Sequence, residues 1–251
     1  MKPLEERSDE RRLAPANDIV YFVKQAPHNE ELRYSLRTVV KNFRPYNQVV
    51  FYGNSPLELF PDWMVNLEQK QPTKWQNVRW MMEKACQDDN LTEDFWLFND
   101  DFFVMNRVDT TKQPQLYEGT LQERIEQVEK RWGRRTQYTE RLRHLLKTLQ
   151  DAGIENPLNY AVHKPMLINR KKMAKILAEH PDEPMIRALY GNLANVGGVD
   201  EPDIKVAGQF LRPDVIGKTF ISTDDYAFEM AEVGTYIKER FTTPSPYEVD
   251  A

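Results

Sequence analysis

The first periodic segment of the chain is an unbroken apolar run, Asp18-Ile19-Val20-Tyr21-Phe22-Val23. Its length and its β-branched and aromatic content read as a buried strand. Leu32, Leu36, Val39, Val40 and Phe43 then recur at helical spacing. His28-Asn29 ahead of them suits a cap, with Glu30 and Glu31 in the first turn. Pro45 ends this helix, and Gln48–Tyr52 reads as a second strand closed by Gly53-Asn54. That β-α-β order predicts a parallel sheet with a right-handed crossover. A helix is expected over 74–85, with Trp75, Val78, Met82 and Ala85 inward. It leads into Phe95–Met105, an apolar run broken only by polar Asn99 and the two adjacent carboxylates Asp100 and Asp101. This run reads as one buried strand, or as two strands meeting at a bend.

The pattern changes over 116–152. Glu, Arg, Lys and Gln dominate, with Leu121, Ile125, Val128 and Trp132, then Leu142, Leu145, Leu146 and Leu149, at helical spacing about a break at Gly133. A helical hairpin inserted in the domain is expected, with Gly153 near its end. Asn159–His163 reads as a return to the sheet, and 171–179 and 183–194 as helices. Short strands are expected at 205–207 and 219–221, then a last helix capped by Thr223 and carrying Phe228, Val233, Ile237 and Phe241. The implied organisation is a flexible arm at 1–16, one α/β domain at 17–243 and an irregular tail at 244–251. No internal repeat is present.

Composition narrows the class. The 251 residues carry a net charge of −5 and one cysteine, Cys86. The charge gives no global pull toward nucleic acid or anionic membrane. A lone cysteine excludes an intramolecular disulfide and a cysteine-based zinc site. No apolar run reaches membrane-span length and the N-terminus lacks a signal-peptide core, so a cytoplasmic protein with no membrane span is expected.

Six constellations carry candidate chemistry. A charged Asp is costly to bury unless paired or bound to metal, so Asp100 and Asp101 are expected where a strand emerges into a cleft. Hard carboxylate oxygens there suit Mg²⁺ or Mn²⁺; the plain alternative is a turn or cap. Neighbouring side chains on an extended chain point apart, so one of the two can ligate while the other orients a neighbour. Arg33 and Arg37 lie one turn apart near a helix start and could clamp a diphosphate, or form solvated surface pairs. His163, fixed by Lys164-Pro165, is a candidate general base against a structural histidine. Arg187 sits among apolar residues and requires a phosphate or carboxylate partner. Asp224 and Asp225 suit capping. The basic hairpin, including Arg131, Arg134, Arg135, Arg141, Arg143 and Lys147 with Trp132 and Tyr138, could contact a polyanion; its interspersed glutamates favour a salt-bridged helix pair.

These segments together resemble the Stealth family of sugar-phosphate transferases and the small, often phage-encoded glycosyltransferase-like proteins related to it. The similarity runs through Asp18-Ile19-Val20-Tyr21, through Asn29–Arg37 and Phe98-Asn99-Asp100-Asp101-Phe102-Phe103, and through His163-Lys164-Pro165 with Arg187 after it. It weakens at Ser222-Thr223-Asp224-Asp225 and leaves 116–151 unmatched. The resemblance implies a Rossmann-like or GT-A-like, mostly parallel sheet flanked by helices. It implies a nucleotide-sugar donor, UDP-linked, and a divalent metal, Mg²⁺ or Mn²⁺, on Asp101 and Asp100. Asp18, Asn29, Arg33, Arg37 and Asn99 would bind the donor. His163, Asp100 and Arg187 would be catalytic. Outside the matched segments, Arg134 and Arg135 of the basic hairpin are candidate acceptor contacts together with Asp225, the acceptor being a glycan, a protein or a modified nucleic acid. Glycosyl transfer and sugar-1-phosphate transfer both fit, and a non-catalytic glycan or nucleic-acid binding module is the reading from another class.

Overall fold

A computed structural model describes residues 16–211 and 213–249. In chain order the elements are β1 (Asp18–Val23), α1 (Glu30–Asn42), β2 (Phe43–Arg44), β3 (Val49–Gly53), β4 (Trp63–Asn66), α2 (Lys74–Gln87), β5 (Asp94–Phe98), β6 (Phe102–Val104), β7 (Val108–Asp109) and β8 (Leu116–Tyr117). They continue with α3 (Leu121–Trp132), α4 (Gln137–Asp151), β9 (Met166–Asn169), α5 (Arg170–Glu179), α6 (Ile186–Leu193), β10 (Val199–Asp200), β11 (Lys205–Val206), β12 (Phe220–Thr223), α7 (Asp225–Met230) and α8 (Glu232–Arg240). The described residues therefore form a mixed α/β fold with eight helices. None of these helices is long and apolar enough to cross a membrane.

The main sheet has the order β4-β3-β1-β5-β9. All neighbours are parallel except β5 and β9. Both faces are covered, which is why the strands are apolar throughout rather than alternating. Ile19, Tyr21, Val23, Val49, Phe51, Trp96 and Phe98 pack with Leu32, Leu36 and Val39 of α1. Val20, Phe22, Val50, Tyr52, Phe95 and Leu97 face the opposite way, into a core shared with α2 to α6. Cys86 is buried in that second core, and burial pushes its thiol up to about 12. A small sheet, β11-β12-β6, holds the third core with α7 and α8.

The run through the acidic pair is two strands meeting at a turn. Phe102 N–H returns to the Asn99 carbonyl at 3.3 Å, between β5 and β6. Gly53 ends β3 at a positive φ of 124°, where a Cβ would stand 2.1 Å from the Val23 carbonyl oxygen. Glycine is needed for that approach of two strand ends. The helical hairpin is α3 and α4, broken at Gly133 in the left-handed conformation.

Two expectations need correction. Residues 159–163 form no strand: the His163 N–H bonds a side chain, Asp203 Oδ1, and the returning strand begins after Pro165 as β9. The last helix is two, α7 and α8, divided at Ala231, and the α7 cap is Asp224, which accepts from the Ala227 N–H at 2.8 Å, because Thr223 still belongs to β12. The tail is irregular but packed, with Tyr247 and Glu248 seated on the body through Phe60 N–H and Arg37. The 1–16 arm lies outside the described residues except for Ala16.

Asp18 occupies the far, N-terminal end of β1. Its carboxylate accepts from Asn47 Nδ2 at 2.8 Å, Gln48 Nε2 at 3.2 Å and the Thr92 N–H at 2.8 Å. It is fully buried. Asp18→Ala would strand these donors and should destabilise the fold by about 2–3 kcal/mol, read as a lowered urea midpoint. A midpoint within error of wild type would deny Asp18 this structural role.

Candidate functional site

In the sheet order, β1 connects outward to β3 while the next leg returns to β5 on its other side. Such reversals leave a crevice at the carboxyl ends of the strands, where open α/β sheets bind ligands. A cleft of about 570 Å³ lies there, lined by Phe22 and Lys24 after β1 and by Asn99, Asp100 and Asp101 after β5.

The tight turn gives the two carboxylates different partners. Asp100 Oδ2 accepts from Asn29 Nδ2 at 2.8 Å, while Asn29 Oδ1 caps α1 through the Leu32 N–H at 2.9 Å. One asparagine thus ties the helix start to the acidic turn. Burial pushes the Asp100 carboxyl up, and the Asp101 charge adds to this, against the Asn29 hydrogen bond. Asp101 Oδ2 accepts from Lys205 Nζ at 2.8 Å and Ser222 Oγ at 2.9 Å. Its Oδ1 is buried and, among the described residues, has no hydrogen-bond partner. Glu31 joins them, accepting from Thr223 Oγ1 at 2.6 Å. Burial, with the charges of Asp101, Asp100 and Asp225, pushes Glu31 up to about 8 despite that bond. The cleft thus gathers more carboxyl groups than cations, five against three lysines, and burial together with this crowding raises two of them.

That excess fits a divalent cation. Among the described residues no three His, Cys, Asp or Glu side chains are gathered into a ready ligand set. Mg²⁺ is commonly held by one or two carboxylates, with substrate phosphates and water completing the shell. Asp101 Oδ1, buried and unbonded, and the crowded Asp100 carboxylate supply that kind of partial set.

His163 faces the same cleft. Its Nδ1 lies 2.6 Å from Asp203 Oδ2, and its backbone N–H donates to Asp203 Oδ1 at 2.8 Å. The Asp203 side chain is 4% exposed. Burial raises its carboxyl, but the His163 hydrogen bond and charge outweigh burial and hold it below the ordinary range. The Asp203 N–H donates in turn to Glu118 Oε1 at 3.0 Å. Buried Lys164 pins the adjoining loops through Glu201 at 3.0 Å. With Nδ1 committed to Asp203, Nε2 is the nitrogen left for proton transfer.

Arg187 also reaches this region. Its Nη2 donates to the Lys164 carbonyl, and its guanidinium stands 5.4 Å from the Phe102 ring centroid. Asn99 and Asp225 line the cleft as well. Other expected residues are elsewhere. Asp18 is at the opposite end of β1, roughly 17 Å away by strand rise, so it cannot touch a donor held at Asp100. Arg33 pairs with Glu30 at 2.7 Å and with Glu58 at 3.4 Å, and Arg37 forks onto Glu248 at 2.9 and 2.6 Å. Helical geometry explains this: they lie two and six residues past Glu31, so roughly 200° and 240° around α1 from the residue that faces the cleft. Arg134 and Arg135 sit at the exposed α3–α4 corner, with Arg135 3.6 Å from Glu140. Arg143 is likewise paired with Glu129 at 2.8 Å.

Sequence reasoning missed Asp203, Lys205, Ser222 and Thr223. Asp203 follows Pro202 in an aperiodic stretch forty residues past its histidine, where no spacing rule links them. Glu31 was visible only as a first-turn carboxylate.

Glu31 gives the site a pH signature in metal-free protein. Its folded carboxyl titrates near 8 against an ordinary value of 4.5. Between those values the folded state holds more protons than the unfolded state, so stability falls as pH rises through that window. Glu31→Gln should remove this slope and gain about 1–2 kcal/mol over wild type at the alkaline end, allowing for partial exposure. Parallel stability profiles for the two proteins, measured by denaturant titration from acid to alkaline pH, would refute the assignment.

No protein-family model matches the sequence, and a search of curated proteins finds no match to it.

Proposed function

We propose that the protein is a Rossmann-like, GT-A-like transferase that depends on Mg²⁺ or Mn²⁺ and moves a sugar from a UDP-linked donor to a hydroxyl acceptor. The observation that carries this reading is the buried, unbonded Asp101 oxygen beside Asp100 and Glu31, in a cleft faced by the His163–Asp203 pair. An excess of carboxylate at the carboxyl edge of a parallel sheet suits a cation with a diphosphate. Two of the Stealth-like segments, Asn99-Asp100-Asp101 and His163-Lys164-Pro165, meet at this cleft, which supports the same reading. The paired arginines of the resemblance do not join them.

Asp101 and Asp100 would hold the cation, which when bound neutralises charge on the donor diphosphate. The chain's own residues supply the rest. Asn29 fixes Asp100, and Lys205 with Ser222 fixes Asp101. His163 Nε2 takes the proton of the attacking hydroxyl as that oxygen bonds to the sugar. Asp203 holds Nδ1–H, sets the tautomer and stabilises the imidazolium so formed. Asn99 lies between the acidic turn and His163, placed to orient the reacting groups.

The same residues serve sugar-1-phosphate transfer, in which the hydroxyl attacks phosphorus and the nucleoside monophosphate leaves. Product analysis separates the two: UDP released marks glycosyl transfer, and UMP marks sugar-phosphate transfer. Calorimetric titration with UDP-sugars should show binding that requires Mn²⁺ or Mg²⁺ and is abolished in Asp101→Asn. His163→Gln should lower kcat by about 10²–10⁴-fold while donor KM stays near wild type. Donor binding indifferent to both metal and Asp101 would reject the proposal.

A further inference from the structure

The cleft continues past His163 into a second lobe of about 460 Å³, and the two lobes share Lys74, Val78, Asn99 and His163. Their chemistry is opposite. The first is lined by five carboxylates, Glu31, Asp100, Asp101, Asp224 and Asp225, against three lysines. The second is lined by Lys74, Arg124 and Arg187 and, among the described residues, by no carboxylate. Trp75, Tyr138 and Ile186 give it an aromatic and apolar wall. Arg124 and Tyr138 come from α3 and α4, so the helical insertion builds one side of it.

Arg124 is paired with Glu118 at 3.6 Å, which leaves its Nε idle, and Arg187 is shorter still of partners. Nε and Nη1 of Arg187 are buried without a hydrogen bond, as is Nε of Arg124. Among the described residues Arg187 forms no salt bridge; Asp203 and Asp101 favour its charge only through space, and burial outweighs them, pushing the guanidinium down to about 10. A buried guanidinium with two idle nitrogens is costly unless an oxyanion completes it. Two arginines in one lobe, with Lys74 at its rim over the Trp75 ring, suit a phosphate dianion better than a single carboxylate.

We propose that this second lobe is the acceptor subsite, and that it takes an acceptor whose reacting hydroxyl lies beside a phosphate on a flat, apolar body. The assignment rests on the transferase reading and adds the acceptor's class to it. The phosphate is held by Arg187 and Arg124, the flat body lies along Trp75 and Tyr138, and the hydroxyl is presented to His163 from the side away from the acidic lobe.

Phenyl phosphate is a suitable probe, titrated into the full chain and followed by saturation-transfer NMR and calorimetry. It should bind without metal, and UDP with Mn²⁺ should not displace it. Phenyl β-glucoside, which keeps the ring and lacks the anion, should bind at least tenfold more weakly, and benzoate should fall between them. Arg187→Gln should weaken phenyl phosphate at least tenfold and Arg124→Gln several-fold; if Arg187→Gln does not fold, Arg124→Gln alone decides. Displacement by UDP with Mn²⁺ would assign the lobe to the donor and overturn the proposal. So would equal binding of the neutral ring, or binding indifferent to Arg124→Gln. Phenyl phosphate held with no UDP–Mn²⁺ binding at all would instead overturn the transferase reading, a pattern distinct from the others.

Discussion

The constraint on which this molecule depends is the two-sided burial of β1, β3 and β5. With α1 on one face and α2 to α6 on the other, no position inside these strands tolerates a charge. Carboxylates are therefore expelled to strand ends, and the two ends take different roles. At the amino end, Asp18 is saturated by amide donors and locks the sheet edge. At the carboxyl end, Asp100 and Asp101 meet Glu31 with too few donors among them. Similar residues, placed by the same rule, become structural at one edge and chemically charged at the other.

Much of this frame was legible in the chain. The run Ile19–Val23 reads as a buried strand and is one, and the capped, amphipathic segment after it reads as its crossover helix and is α1. The acidic pair marked the carboxyl edge because an apolar run interrupted by two charges has to turn into solvent there. The site was legible where it was local, as at Asp100, Asp101 and His163. It failed where geometry overrode spacing. Arg33 and Arg37 share a face, as their separation requires, but that face meets Glu248 of the tail rather than the cleft. Their periodicity was right, and their direction could not be known before the tail was placed. Asp203 and Lys205 come from short segments with no period, so nothing in their neighbours announced them.

The helical insertion shows the same division. Its apolar spacing and the Gly133 break fixed two helices, and its many glutamates fixed a neutralised outer surface. Its contribution to the cleft is through Arg124 and Tyr138, which look unremarkable beside the basic corner at Arg134 and Arg135. Arg141 is drawn inward too, its guanidinium 4.2 Å from the Trp75 ring centroid. The residues that matter are those the hairpin turns toward the sheet, and a count of basic side chains does not separate them from the rest.

The buried thiol at Cys86 has a practical consequence. It is the chain's sole cysteine, and both its enclosure and its suppressed ionisation make it unreactive toward maleimides or iodoacetamides. The native sequence can therefore serve as a silent background for site-specific labelling. R134C, at the exposed hairpin corner, would offer one accessible attachment point for a fluorophore or spin label without altering any other residue.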